Sequence, residues 1–159
     1  MSEQTPTLAG NSLATAPNIY PCLGYRDAKA AIRWLCDAFG FEERMVYPGE
    51  DREVAHAELA LGPGLVMLGS ASVDMPAVDT AQQSAGGELD FSRIPFALYV
   101  AVEDVDAHCE RARDAGAEIL REPADTDYGS REYAARDLEG NVWSFGTYHP
   151  AAERSATDT

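Results

Sequence analysis

The residues best suited to acid–base chemistry in this sequence are His56 and Glu58. They lie two positions apart in a segment of alternating apolar side chains, which is typical of a β-strand, so both are expected on the same face. An imidazole beside a carboxylate can act as a general base, and the pair could also supply two ligands to a divalent metal ion. Because no third ligand converges on them, a polar pair on the rim of a sheet is the favoured interpretation.

Tyrosines form a second set of candidates. Tyr20 and Tyr99 fall on two predicted strands, and Tyr128 lies further along the chain, close to Arg131. Aromatic side chains around an apolar pocket would favour a planar or heteroaromatic ligand. Arg131 could orient an anionic group or belong to the protein surface.

The other reactive residues indicate no further chemistry. His108 is expected to be a solvated residue of a predicted helix, and His149 begins the C-terminal tail. The cysteines, at positions 22, 36 and 109, are scattered and are expected to be small buried hydrophobic residues rather than a disulfide framework or a zinc site. No nucleophile elbow, phosphate-binding loop, CxxC or HExxH motif is found.

A duplication supplies the elements that would position these residues. Asp27 and Asp104, 77 residues apart, each follow a short apolar run and precede an amphipathic stretch. Each aspartate can cap a helix by accepting from the backbone N–H groups of its first turn, and Gly40 and Gly116 stand where these helices would end. Apolar segments separated by turn residues follow each helix, so each copy predicts the order βαβββ.

The predicted domain organisation follows this duplication. Residues 1–17 and 150–159 are expected to be disordered tails around a single domain at 18–149. The domain contains a first module at 18–71, a linker at 72–94 that could also cover a cleft, and a second module at 95–149. The predicted strands are 19–25, 41–47, 53–61 and 65–71, then 95–102, 118–121, 132–136 and 141–148.

Composition narrows the classes of function. The chain has 159 residues and a formal net charge of −15, which argues against a nucleic-acid partner, since such proteins usually carry a basic face. Solubility is the favoured explanation of the charge, and recruitment of a cationic ligand is the alternative. No apolar run reaches membrane-spanning length and no signal pattern begins the chain, so we expect no membrane partner and a cytoplasmic location.

The ordered motifs resemble those of the glyoxalase/bleomycin resistance/dioxygenase superfamily, also called vicinal oxygen chelate proteins. The matching segments are 20–27, 38–41, 56–59, 102–106, 115–117 and 137–143. The resemblance implies an α+β fold in which two βαβββ modules pair into a U-shaped, mixed-sheet half-barrel. It also implies a homodimer.

In metal-dependent members, the resemblance implies four ligands, one on the first and one on the last strand of each module. The corresponding positions here are Tyr20, Met67, Ala97 and Ser144, and none of them is a histidine or a glutamate. Such positions are typical of a glyoxalase-like branch that lacks the metal ligands. We therefore expect no metal ion and no other cofactor.

The combined prediction is a metal-free protein that binds a small aromatic or antibiotic-like molecule in a cleft between the modules. No catalytic residue is assigned, and enzymatic activity is not the favoured expectation. The predicted ligand-binding residues are Tyr20, His56, Glu58, Met67, Tyr99, Tyr128, Arg131 and Ser144. The alternative is a divalent-metal-dependent lyase, isomerase or dioxygenase of the same superfamily, which is supported by resemblance of fold alone.

Overall fold

The computed structural model describes residues 17–72 and 74–150. The tails predicted at 1–17 and 150–159 lie outside this part of the chain, except for Pro17 and Pro150. The described residues contain two four-stranded mixed sheets, each built from a βαβββ succession. The α+β class and the two modules predicted from the sequence are confirmed, while their pairing into a U-shaped half-barrel stays a prediction.

The first module contains strand β1 (Cys22–Tyr25), helix α1 (Ala28–Phe39) and strands β2 (Glu42–Tyr47), β3 (His56–Leu61) and β4 (Gly64–Ser70). The sheet order is β1-β4-β3-β2, with β1 parallel to β4 and the other neighbours antiparallel. Asp27 Oδ1 accepts from the Ala30 N–H at 3.0 Å. Gly40 follows the helix with a φ of 83°, a left-handed conformation that favours glycine. Both ends of the predicted helix are confirmed.

The joining segment, predicted as a linker at 72–94, has secondary structure of its own. Strands β5 (Ser84–Ala85) and β6 (Glu88–Leu89) form a short hairpin between two 3-10 turns, Thr80–Gln83 and Phe91–Arg93. The buried Arg136 guanidinium holds this segment, since its Nε donates to Gln83 Oε1 at 3.3 Å and its Nη2 donates to the Thr80 carbonyl at 3.4 Å. The segment is therefore attached to the second module.

The second module repeats the first. It contains β7 (Leu98–Ala101), α2 (Val105–Asp114), β8 (Glu118–Asp125), β9 (Arg131–Arg136) and β10 (Val142–Gly146), with the sheet order β7-β10-β9-β8. Strand β10 is parallel to β7 and antiparallel to β9. Asp104 Oδ1 accepts from the Ala107 N–H at 3.0 Å, as predicted for the second helix cap. Gly116, with a φ of 93°, follows its end.

Contacts divide the described residues into two compact units, 17–32 with 41–71 and 33–40 with 72–150. The core of the second unit is aromatic. The ring centroid of Phe39, at the end of α1, lies 4.7 Å from that of Phe145 and 5.3 Å from that of Trp143. All three side chains are fully buried. Since burial of a large apolar side chain contributes about 1.5–3 kcal/mol, the last turn of α1 is an essential part of this core.

The two helix ends within the second unit are capped by side chains of the other helix. Trp34 Nε1 donates to the Ala115 carbonyl, just after α2, at 2.9 Å. Arg111 Nε donates to the Asp37 carbonyl at 2.9 Å, and its Nη2 donates to the Cys36 carbonyl at 3.0 Å. The bond to Asp37 satisfies a carbonyl of the last turn of α1, where a helix leaves such groups without a partner, while the Cys36 carbonyl also accepts from the Gly40 N–H at 3.2 Å.

Expectations about single residues are wrong at His108 and Cys22, and Cys36 is half-buried rather than buried. His108 is half-buried rather than solvated: its Nε2 donates to the Phe39 carbonyl at 2.8 Å, and its Nδ1 accepts from the Tyr133 hydroxyl. Cys22 is exposed rather than buried, because it lies on the face of β1 opposite the buried Tyr25.

The strands differ from the predictions mainly at their ends. Strands β1 and β7 begin at Cys22 and Leu98 rather than at 19 and 95. Pro21 and Pro95 lie in the omitted stretches, and proline has no N–H to donate to a sheet. Strand β8 extends to Asp125, and its pairing with β9 shifts register on both sides of Arg121. Such bulges interrupt the alternation on which sequence patterns depend.

Within the described residues, neither α1 nor α2 combines the length and apolar character that a membrane crossing requires. This agrees with the absence of a long apolar run in the sequence.

Candidate functional site

One row of side chains crosses the whole second sheet. Arg121 on β8 aligns with Ala134 on β9, which aligns with Ser144 on β10, which in turn aligns with Tyr99 on β7. Aligned residues on neighbouring strands share a face of the sheet. The row therefore has two small side chains in its middle and a long one at each end. The opposite face carries Trp143 and other aromatic residues of the core.

Three residues of this row, Arg121, Ser144 and Tyr99, line a groove of about 540 Å³, which we name the sheet groove. Its lining residues include Phe91 from the joining segment, Tyr99, Arg121, Ser144 and further aromatic residues at the end of the sheet, Tyr128 and Tyr148. We call its small lining residues, Ala97 and Ser144, the floor and its aromatic lining residues the walls. Such a combination suits a flat aromatic molecule.

Hydrogen bonds fix the tyrosines of the sheet groove. The Tyr99 hydroxyl donates to the Tyr148 carbonyl at 2.6 Å, and the Tyr128 hydroxyl donates to Glu132 Oε1 at 2.7 Å. Burial raises the pKa of Tyr99, and the negative charge of Glu132 raises it further. The bond to Glu132 is the main cause that raises the pKa of Tyr128. Both phenols therefore stay neutral at physiological pH and act as aromatic walls rather than as bases.

The absence of a side chain at Gly146 leaves room for the side chains of Glu132 and Tyr99 at the end of β10. A Cβ at this position would meet Glu132 Cγ at 2.6 Å and Tyr99 Oη at 2.8 Å, both closer than real Cβ contacts allow. Any larger residue would displace the Tyr99 ring from its place beside the floor. Glycine is therefore required by the packing of the groove wall rather than by backbone conformation.

Arg121 supplies the basic group of the sheet groove. Its guanidinium carbon lies 5.1 Å from the centroid of the Phe91 ring, a cation–π arrangement. Arg121 is an exposed residue at the bulge of β8.

Three of the predicted site residues lie together in the first module. His56 Nε2 and Glu58 Oε1 are 3.2 Å apart, and Glu58 aligns with Met67 of β4. All three are half-buried and share one face of the first sheet, which also carries Cys22. The prediction that His56 and Glu58 share a face agrees with the structure. Tyr20 precedes β1 and donates its hydroxyl to the Pro17 carbonyl.

Tyr99, Tyr128 and Ser144 are brought together in the sheet groove, but Arg131 is not among its lining residues. Arg131 donates to both carboxylate oxygens of Asp106 on α2, at 2.8 and 2.9 Å, and to Asp125 at 3.1 Å. Its bond lowers the pKa of Asp106. The structure thus places Arg131 in a surface ion-pair network, which was one of the two interpretations of the sequence.

The four positions that the family resemblance assigns to metal ligands do not fit a divalent ion. In the first module they hold a phenol, Tyr20, and a thioether, Met67; in the second they hold Ala97, which has no donor, and the hydroxyl of Ser144. Imidazole and carboxylate are the ligands that divalent first-row metals prefer in such sites. Across residues 17–72 and 74–150, no three His, Cys, Asp or Glu side chains are grouped to hold a metal ion.

Four aromatic or charged residues of the groove were not predicted, and the signals that could have indicated them differ. Glu132 is two positions from Ala134 on β9, so strand alternation could have placed it on the same face. Tyr148 follows β10 closely, and its position depends on where that strand ends. Arg121 and Phe91 depend on a bulge and on the packing of the joining segment, neither of which leaves a local pattern.

The fold defines a protein of two βαβββ modules with the parallel first and last strands adjacent in each sheet. Residues 19–145 match the family described as the Glyoxalase/Bleomycin resistance protein/Dioxygenase superfamily. The chain belongs to this family, as its motifs predicted.

Several relatives support the assignment. The crystal structure of TioX from Micromonospora sp. ML1 is 33% identical and has a TM-score of 0.61, covering 82% of this chain and 94% of that one. An uncharacterised protein of Mycobacterium tuberculosis is 31% identical over 148 residues, 91% of this chain and 80% of the relative. A glyoxalase/bleomycin resistance protein from Streptomyces sp. CB03234 has 20% identity and a TM-score of 0.58, covering 81% of this chain and 98% of that one, and shows the fold alone.

Proposed function

We propose that this protein binds a small planar aromatic molecule in the sheet groove, without a metal ion. The observation that carries the proposal is the lining of the groove, which combines the small residues Ala97 and Ser144 with four aromatic side chains. A flat ring can lie on this floor and contact Tyr99 and Phe91 at the same time. Burial of apolar surface and aromatic contacts supply affinity without any covalent step.

The residues of the groove are better suited to binding a ligand than to catalysing its reaction. Its tyrosines are held neutral, and Glu132 is occupied by the hydroxyl of Tyr128. A general base needs a group that can accept a proton from the bound molecule. We therefore propose sequestration or carriage of the ligand as the role. The homodimer and the cytoplasmic location expected from the sequence remain proposals.

Calorimetric titration of the full chain with 2-naphthamide, a neutral flat probe, tests the proposal. We expect saturable binding with a Kd below about 1 mM. Ser144→Leu fills the floor and is expected to abolish binding. Tyr99→Ala removes one wall and is expected to weaken binding about five- to tenfold, the usual contribution of an aromatic contact.

Tyr47→Ala is the matched control, because Tyr47 is an exposed tyrosine of β2, outside the sheet groove. It is expected to bind the probe as the wild type does. If the Tyr99 and Ser144 variants also bind like the wild type, the ligand does not occupy the sheet groove and the proposal is wrong.

The alternative, a divalent-metal-dependent lyase, isomerase or dioxygenase, has one observation in its favour. His56 and Glu58 are hydrogen-bonded on a half-buried face and could provide two ligands. Elemental analysis of the purified protein would test it. A stoichiometric metal that is lost in both His56→Ala and Glu58→Ala would favour the enzyme over the binding protein.

A further inference from the structure

We propose that the ligand of the sheet groove is an aromatic carboxylate, whose anionic group is bound by Arg121. This inference rests on the proposed function, since it concerns the same groove. It specifies the charge of the ligand and the position of its charged group in the groove, which the aromatic walls alone do not determine.

Arg121 is distinguished by its contact with an aromatic ring. The chain has 27 acidic and 12 basic residues; among the described residues Arg113, Arg131 and Arg136 form ion pairs with carboxylates, whereas Arg33, Arg44 and Arg52 form none. Within the described residues Arg121 forms none, and its guanidinium rests on the Phe91 ring instead. An arginine held by a ring, in a chain so rich in carboxylates, keeps its N–H groups available to an anion from solution.

A guanidinium binds a carboxylate through two parallel N–H···O bonds in its own plane. The Phe91 ring offers no oxygen acceptor, so the contact leaves these N–H donors available to an anion. The ring also restricts the rotation of the long side chain, so less conformational entropy is lost when an anion binds.

Arg121 stands at one end of the row that crosses the sheet. Ala134 separates it from Ser144 on the floor of the groove. A carboxylate at the Arg121 end of the row would direct the attached ring along the floor towards Tyr99. Glu132, two positions from Ala134 on β9, accepts from the Tyr128 hydroxyl, so an anionic group is disfavoured directly beside Glu132.

The test compares three naphthalene probes of equal shape and different charge, titrated into the full chain. These are 2-naphthoate, neutral 2-naphthamide and 2-naphthylmethylammonium. We expect the naphthoate to bind at least tenfold tighter than the amide, and the ammonium probe to bind most weakly, because only the carboxylate matches the guanidinium.

Arg121→Gln should reduce the preference for naphthoate over naphthamide to within about twofold while the amide binds as before. Arg121→Lys keeps the charge without the planar pair of donors and should recover only part of the preference. Arg113→Gln is the matched control, since it removes the same charge from the surface of α2 and should leave the preference unchanged. Thermal melting of each variant shows whether it is folded.

The outcomes separate the two proposals. If naphthoate and naphthamide bind the wild type equally, or if the ammonium probe binds tightest, the inference about the carboxylate is wrong and the aromatic groove stands. If no naphthalene probe binds with a Kd below about 1 mM, the proposed function itself fails.

Discussion

At the scale of single residues, His108 shows how packing selects one protonation state. Its Nε2 faces the Phe39 carbonyl, which can only accept, so this nitrogen carries the proton. Its Nδ1 then accepts from the Tyr133 hydroxyl. Burial is the main cause that lowers the pKa of His108 from its ordinary value of 6.5, and the positive charge of Arg111 lowers it further. The neutral tautomer therefore matches both partners.

This arrangement predicts a pH-dependent stability. Because the pKa is lower in the folded chain, the unfolded chain binds the proton more readily. The contribution of His108 is complete above its unfolded pKa of 6.5 and is lost as the pH falls towards the folded value. Urea unfolding at about pH 7.5 and about pH 5.5 should show a larger loss of stability in the wild type than in His108→Gln. Equal losses in the two proteins would contradict the assignment.

The helix-capping roles of two aspartates could be predicted from the sequence because their contacts are with residues close to them in the chain. Asp27 and Asp104 precede their helices and bond to N–H groups three positions later, which is a contact within one turn. His108 was misassigned because its neighbours in sequence are charged, whereas its partners, Phe39 and Tyr133, lie 69 and 25 positions away. Contacts of that range leave no trace in a local pattern.

At the scale of elements, the joining segment is the part that sequence patterns describe least. Its Gly- and Ser-rich composition predicted a linker, and its attachment depends on a buried side chain of β9. Arg136 connects Gln83 and Thr80 with Glu118, to which its Nη1 donates at 2.9 Å. The strand register that aligns Tyr99 with Ser144 follows from alternation, but the place of Phe91 depends on this attachment.

Removing the attachment should release the segment. Arg136→Met retains the length and apolar stem of the side chain but leaves Gln83 and the Thr80 carbonyl without their donor. We expect limited proteolysis to cleave within 74–94 several-fold faster than in the wild type, since cleavage follows local opening. Arg93→Met, which changes an exposed arginine of the same segment, is the control. An unchanged cleavage pattern in the Arg136 variant would show that other contacts hold the segment.

At the scale of the whole molecule, the duplication in the sequence does not give two independently folded halves. The second compact unit takes residues 33–40 from the first copy, and with them Trp34 and Phe39. Phe39 is fully buried against Trp143 and Phe145, so the second module without it would expose a large apolar surface. The duplicated motifs therefore mark the order of the elements, whereas the cores are assembled from segments distant in sequence.

A fragment of residues 72–150 should accordingly fail to fold by itself. We expect it to lack a cooperative thermal transition and to bind a hydrophobic dye, whereas the full chain melts cooperatively. In the full chain, Phe39→Ala should lower the free energy of unfolding by about 3–5 kcal/mol, the usual cost of removing a buried phenylalanine. Phe96→Ala, at a residue that is 63% exposed, should change it by less than about 0.5 kcal/mol. A fragment that melts cooperatively would show that the second module completes its core without α1.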